Sequence, residues 1–159
     1  MKRLALLAVL LFVLIADQAT KFVARTSLAH VPPRHYGILT LLYTENRGAF
    51  LSLGSNFPEG VRTAVFDIVV AIGLAAATIA LFRGKWQRGD DIALAAIIGG
   101  GVGNLIDRLR FSGRVTDFLY LAAGPLHTGV FNIGDMAITL GVIWLLISWA
   151  IPRHASRAS

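Results

Sequence analysis

The sequence predicts an all-α integral membrane protein, with four transmembrane helices and a small β-hairpin or sheet lying on the outer membrane surface. Three observations carry this. Hydrophobic residues fill 55% of the 159 positions and charged residues only 15%, where a soluble domain carries about 25% charge. The apolar residues are gathered into four long runs, each near the roughly 20 residues that cross a hydrocarbon core. The longest connection between runs alternates apolar and polar residues and holds turn residues. No soluble domain or low-complexity linker is left over, so residues 1–159 read as one membrane-embedded domain.

The first span covers about 4–24. Its start, "MKRLALLAVLLFVLIA", has the basic head and the thirteen-residue apolar stretch (Leu4 to Ala16) of a secretory signal. The helical pattern continues through "DQATKFVA" and three more spans follow, so it reads as an uncleaved span. In the loop at 25–60, Ile38, Thr40 and Leu42 fit period two and "NRG" fits a turn. This predicts a hairpin on the membrane surface. The second span covers about 61–82, followed by the short basic linker "RGKWQRGDD". The third, about 92–108, is uncharged only from Ile92 to Ile106, and its "GGGVG" has the small-xxx-small spacing of close helix packing. The loop at 109–130 is too apolar to stand free in water and is expected to hug the interface. The fourth span covers about 131–151.

Sidedness follows from the bases. Four spans put both termini and the 83–91 linker on one side, with Lys2, Arg3, Arg83, Lys85, Arg88, Arg153 and Arg157. The positive-inside rule makes that side cytoplasmic. The net charge of +6 forms no helical stripe or aromatic-interleaved patch, which argues against nucleic acid as a partner and for contact with anionic lipid. There is no cysteine, and the four histidines lack metal-ligand spacing. No metal and no cofactor is expected.

The remaining polar residues gather at the opposite, extracytoplasmic face. Asp17 and Lys21 are i, i+4 near the outer end of span one. Asn46 and Arg47 lie in the outer loop. Asn104, Asp107 and Arg108 share one face at the outer end of span three. Asn132 and Asp135 stand at the entry of span four. The cytoplasmic ends show no such set, and ionisable groups at membrane depth mark a functional site or a paired interior. Asp17–Lys21, Asp107 and Arg108 also read as structural ion pairs. Asn104 and Asn132 also read as interhelical hydrogen bonds, and Asn46 as a turn residue. Asp117 and Asp135 stand apart. Asp117 lies in "RVTDFLYL" among apolar residues, and Asp135 has no Lys or Arg within ten residues. Two carboxyls converging in a low-dielectric site share one proton. One then takes a proton from water while the other polarises a carbonyl, which is the chemistry of peptide hydrolysis without metal or covalent intermediate.

"DQATK" (17–21), "ENRGAF" (45–50), "GNLIDR" (103–108), "GRVTDF" (113–118) and "FNIGDMAI" (131–138) resemble, in order, the motif blocks of the lipoprotein signal peptidase (signal peptidase II) family. The resemblance implies an aspartyl endopeptidase of the bacterial inner membrane that removes the signal peptide from diacylglyceryl-modified prolipoproteins. It puts the catalytic pair on Asp117 and Asp135. It makes Asp17, Lys21, Asn46, Gly48, Asn104, Asp107, Arg108 and Asn132 residues that shape the site and hold substrate. It implies inhibition by globomycin-type peptides, and a monomer is expected. Two positions depart from the family pattern. Gly134 replaces an Ala and is expected to loosen the pair, and "GAF" stands where the family has two Ala after the Gly.

Two rival functions use the same residues differently. A proton-coupled carrier or assembly factor would use the carboxylates as a relay, but the inner halves of the spans offer little beyond Asp67. A serine membrane protease has a Ser in "FSGR" but no suitably placed His.

Overall fold

The computed structural model describes residues 2–46, 58–87 and 89–151. It has four long helices: α1 (Lys2–Ser27), α2 (Glu59–Arg83), α3 (Asp90–Arg110) and α4 (Ile133–Ala150). Each is long and apolar enough to cross a membrane. The predicted spans fall on these helices, with one informative exception. Residues 131 and 132 stay outside α4, because Phe131 pairs with Leu119 as an isolated antiparallel bridge and Asn132 caps the helix.

The bundle is organised around α3, which packs against each of the other three helices. Buried residues make up 44% of its apolar window, against 11–17% in the other helices. The glycine run explains how one helix serves three neighbours. A Cβ on Gly99 would strike the Leu10 carbonyl of α1, one on Gly100 the backbone of Gly134 in α4, and one on Gly101 the Leu74 side chain of α2. Without side chains here, three backbones or side chains approach α3 from three directions. Leu6, Leu81, Ala95 and Ile98 close the core between α1, α2 and α3. Outward-facing Phe12, Val69, Ile72, Leu140 and Trp149 are each more than half exposed. Such a surface is favourable against hydrocarbon, not water.

At one end of the bundle sits a four-stranded antiparallel sheet in the order β1 (Arg34–Tyr36), β2 (Leu39–Asn46), β3 (Val115–Ala123), β4 (Leu126–His127). The expected hairpin is present, but its turn is at Gly37, in the left-handed region with φ 61°. β2 runs through "TEN" to Asn46, the first residue of the "NRG" run, with Glu45 and Asn46 paired to Thr116 and Val115. Arg47 and Gly48 lie outside the described residues. The apolar second loop supplies β3 and β4. Beneath the sheet, Phe118 packs with Ala24 of α1 and with Leu28 just past its end, which seats β3 on the helix bundle.

The opposite end corrects a second expectation. Asp90 and Asp91, at the start of α3, are buried there. Asp91 Oδ2 is 2.9 Å from Lys2 Nζ, and Asp91 Oδ1 accepts from the backbone N–H of Gly89 and Ile92. Trp144 Nε1 donates to Asp90 at 3.3 Å. Sequence separation hid this set, because Lys2 and Trp144 meet α3 only after the helices pack.

Candidate active site

Asp17, Lys21 and Arg25 recur every four residues on α1 and share one face. That face meets α3. Lys21 is fully buried, with Nζ 2.8 Å from Asp17 Oδ2 and 3.7 Å from Asp107 Oδ2. It also donates to Asn104 Oδ1 at 2.7 Å. A buried ammonium is tolerated only when its donors find acceptors, and these come from two helices. Asp17 Oδ1 accepts from the Gly134 N–H of α4 at 2.8 Å. The i, i+4 pair read from sequence is therefore a junction of α1, α3 and α4.

Asp107 is also fully buried. It accepts from the Thr116 N–H at 3.0 Å and from Gln18 Nε2 at 3.3 Å, and pairs with Arg25 Nη1 at 3.4 Å. The same Arg25 nitrogen donates to Thr116 Oγ1 at 2.8 Å. Its guanidinium lies 4.7 Å over the Phe111 ring. These contacts fasten the start of β3 to α1 and α3.

Asp117 follows directly, almost fully buried on β3. The Leu119–Phe131 bridge lays the segment before α4 along β3 and carries Asn132 to Asp117. Asn132 Nδ2 donates to Asp117 Oδ1 at 2.7 Å. Asn132 also caps α4: its Oδ1 accepts from the Asp135 N–H at 2.8 Å, and its own N–H donates to Asp135 Oδ2 at 3.2 Å. This is a capping box with Asp at the third helical position. The other Asp135 oxygen accepts from Asn104 Nδ2 at 2.8 Å. One asparagine thus touches both carboxyl groups, and the direct side-chain donors to the two are neutral amides.

Burial pushes the Asp117 carboxyl up to about 6, and the nearby Asp135 carboxylate adds to the rise. The Asn132 and Asn46 amides and the Lys21 charge act in the opposite direction. A carboxyl tuned to that range exchanges protons near neutral pH, as a general acid or base must.

A family model described as signal peptidase (SPase) II matches residues 9–151 of the chain. The chain belongs to the signal peptidase II family. A lipoprotein signal peptidase of Hydrogenovibrio crunogenus is 34% identical over 155 residues, covering 93% of this chain and 87% of that one. One of Geobacter sulfurreducens is 39% identical over 142 residues, covering 88% of each chain. A solved bacterial membrane enzyme superposes with a TM-score of 0.77 at 26% identity, over 91% of this chain and 87% of that one. With its four apolar helices, this family member is an integral membrane protein and a peptidase.

Most residues singled out by the motifs meet in this family member. Asp17, Lys21, Asn104, Asp107, Asn132, Asp117 and Asp135 form one connected set, and Asn46 joins it by a side-chain hydrogen bond to Asp117. Gly48 lies outside the described residues. Arg108 leaves the face it shares with Asn104: its long side chain reaches α2, 3.8 Å from Asp67 Oδ1 and 4.5 Å over Phe66. Asp67 is thereby tied to the sheet end of α3. Gly134 is held, not loose. Its N–H bonds Asp17, and a Cβ there would lie 2.9 Å from the Gly100 carbonyl. Gln18, Arg25 and Thr116 were not singled out. Arg25 carried a usable signal, since it continues the four-residue spacing of Asp17 and Lys21. Gln18 and Thr116 carried none, because Gln18 reaches Gly103 and Asp107, 85 and 89 residues away, and the Thr116 hydroxyl meets Arg25, 91 residues away.

Proposed function

We propose that the protein is an aspartyl endopeptidase that cleaves the signal peptide from diacylglyceryl-modified prolipoproteins, with Asp117 and Asp135 activating water. The observation that carries this reading is Asn132, which donates to Asp117 and forms a capping box with Asp135. One carboxylate, ionised, takes a proton from water as its oxygen attacks the scissile carbonyl. The other, protonated, polarises that carbonyl by a hydrogen bond. The tetrahedral intermediate then collapses, the C–N bond breaks, and a carboxyl proton passes to the leaving nitrogen. Water supplies OH to the new acid and H to the new amine. Asn104 and Asn132 hold the carboxyls without adding charge, so the pair keeps its shared proton.

The substrate is an apolar signal helix with a lipid anchor. It enters from the bilayer and meets the site at the sheet end of the bundle. In the bacterial inner membrane this end faces outward and both termini face the cytoplasm, in line with the bases at the opposite end. The enzyme acts as a monomer and is inhibited by globomycin-type peptides that occupy the same site. The carrier reading loses its one inner residue, since Asp67 pairs with Arg108 at the sheet end.

The test is cleavage of a diacylglyceryl prolipoprotein by purified full-length protein. Asp117→Asn and Asp135→Asn are each expected to abolish cleavage while still folding, as judged by a cooperative melting transition. Either variant cleaving at the wild-type rate rejects the pair. Equal turnover of a non-lipidated substrate rejects the substrate class.

A further inference from the structure

We propose that Arg25 is a positioning residue for the carboxyl pair, acting through two separate routes that start at its guanidinium. The inference rests on the Asp117/Asp135 reading. The first route is mechanical. Arg25 Nη1 donates to Thr116 Oγ1 at 2.8 Å, and Thr116 immediately precedes Asp117 on β3. The Thr116 carbonyl in turn accepts from Asn132 Nδ2 at 3.4 Å, the same amide that donates to Asp117. Arg25 therefore fixes the segment from which Asp117 projects.

The second route is electrostatic. Asp17, Asp107, Lys21 and Arg25 form a buried cluster of two carboxylates and two cations. Arg25 shares Asp107 with Lys21. Without Arg25, Lys21 alone answers both carboxylates and is drawn toward Asp107, away from Asn104 Oδ1. Asn104 is the residue whose amide holds Asp135 at 2.8 Å. The cluster also gains a net negative charge beside the pair, and a negative charge strengthens proton binding by a carboxylate. Among the described residues, the other charged or titratable groups near this end of the surrounding elements are Tyr43 and Glu45 on β2, Arg114 before β3, Tyr120 on β3, exposed Arg110 at the end of α3, 5.7 Å from the Phe111 ring, and the Asp67–Arg108 pair between α2 and α3. Glu45 is matched by Arg114 at 2.7 Å, and Asp67 by Arg108. Neither pair offsets the loss of Arg25.

The side chain is built for this position. Its head is largely covered, stacked on Phe111, and bonded to two acceptors at once. A lysine keeps the charge but not the planar fork or the stacking.

The experiment compares wild type, Arg25→Gln, Arg25→Lys, Thr116→Val and Asp117→Asn as purified full-length proteins, cleaving a diacylglyceryl prolipoprotein across a pH series. Arg25→Gln is expected to lower kcat about tenfold with KM nearly unchanged. Its acidic limb of kcat/KM should move about half a unit to higher pH. Arg25→Lys should return the limb to its wild-type position and recover part of kcat. Thr116→Val should lower kcat without moving the limb. A wild-type kcat and limb in Arg25→Gln overturns the proposal, as does a limb in Arg25→Lys that stays shifted. If Arg25→Gln does not fold, a wild-type kcat in Thr116→Val overturns the mechanical route, and the limb in Arg25→Lys decides the electrostatic one. Asp117→Asn separates the two readings: if it still cleaves, the carboxyl pair itself is rejected, whereas its inactivity beside a wild-type-like Arg25→Gln rejects only the role of Arg25.

Discussion

At one end of α3, buried Asp90 and Asp91 are answered by Lys2, by the indole of Trp144 and by backbone N–H groups of the helix start. At the other end, Asp117 and Asp135 are buried or half-buried and answered directly by asparagine amides. Burial is similar and the partners differ. An adjacent cation and backbone N–H groups hold Asp91 as a structural link between α1 and α3. Neutral amides orient a carboxyl while leaving its proton free to come and go. Between these extremes lies the Asp17–Lys21–Asp107 cluster, charged and fully buried, which supports the pair without belonging to it. A buried aspartate is thus no sign of catalysis until its partners are known.

The largest expected contrast lies between the two ends. Asp117→Asn and Asp135→Asn should each lose roughly a thousandfold in cleavage rate, whereas Asp91→Asn should keep the wild-type rate and lose at most about 1 kcal/mol of stability with its Lys2 ion pair. A slow Asp91→Asn enzyme of normal stability would erase the distinction. Next comes Asn132, which does both jobs. Asn132→Ala should lose about 10- to 100-fold in rate and about 1 kcal/mol in stability. Asn132→Ser keeps a capping oxygen but no amide donor, so melting should recover while the rate does not. Recovery of both would make the cap its whole role.

Gly134→Ala adds a Cβ at the contact between α3 and α4. Its Cβ meets the Gly100 carbonyl at 2.9 Å and Asp17 Oδ1 at 3.0 Å. Overpacking of this kind costs about 1 to 3 kcal/mol, measured as a lower melting temperature in detergent. An unchanged melting temperature would mean that α3 and α4 separate there at little cost. The smallest effect is a pH slope. The folded Asp117 carboxyl titrates near 6 against an ordinary 3.8. Its proton is therefore held more tightly in the folded state. That contribution is complete below about pH 4 and is lost as pH rises through about 6. Asp117→Asn cannot titrate, so its melting temperature should fall less than that of wild type between about pH 4 and pH 7. Parallel slopes would show that Asp117 is not the group that binds the proton.

Much of this was legible in the linear chain, for physical reasons that differ by element. Four spans stood out because hydrocarbon demands both length and apolarity, and both are local properties. Asp117 and Asp135 stood out because neither had a local partner able to explain its place. The turn of the β1–β2 hairpin did not stand out. Gly37 is a weak signal on its own, and the reach of β2 to Asn46 depends on Glu45 and Asn46 pairing with Thr116 and Val115, some seventy residues away. Asp90 and Asp91 looked like linker charges because their partners are at the far ends of α1 and α4. Arg108 reaches across to α2 because helical spacing sets only where a Cα lies, and a long flexible side chain goes where its counter-charge is.

By itself, the sequence determined the number of spans, the end of the bundle that carries most of the polar residues, and the identity of the two unexplained carboxyls. All three follow from the solvent each segment must enter, which acts residue by residue. The tertiary structure alone decided what each carboxyl meets. The Leu119–Phe131 bridge brings Asn132 to Asp117, and the glycine contact of α3 with α4 underlies the approach of Asn104 to Asp135. Those are contacts across dozens of residues, set by strand register and backbone approach, and no local pattern encodes them.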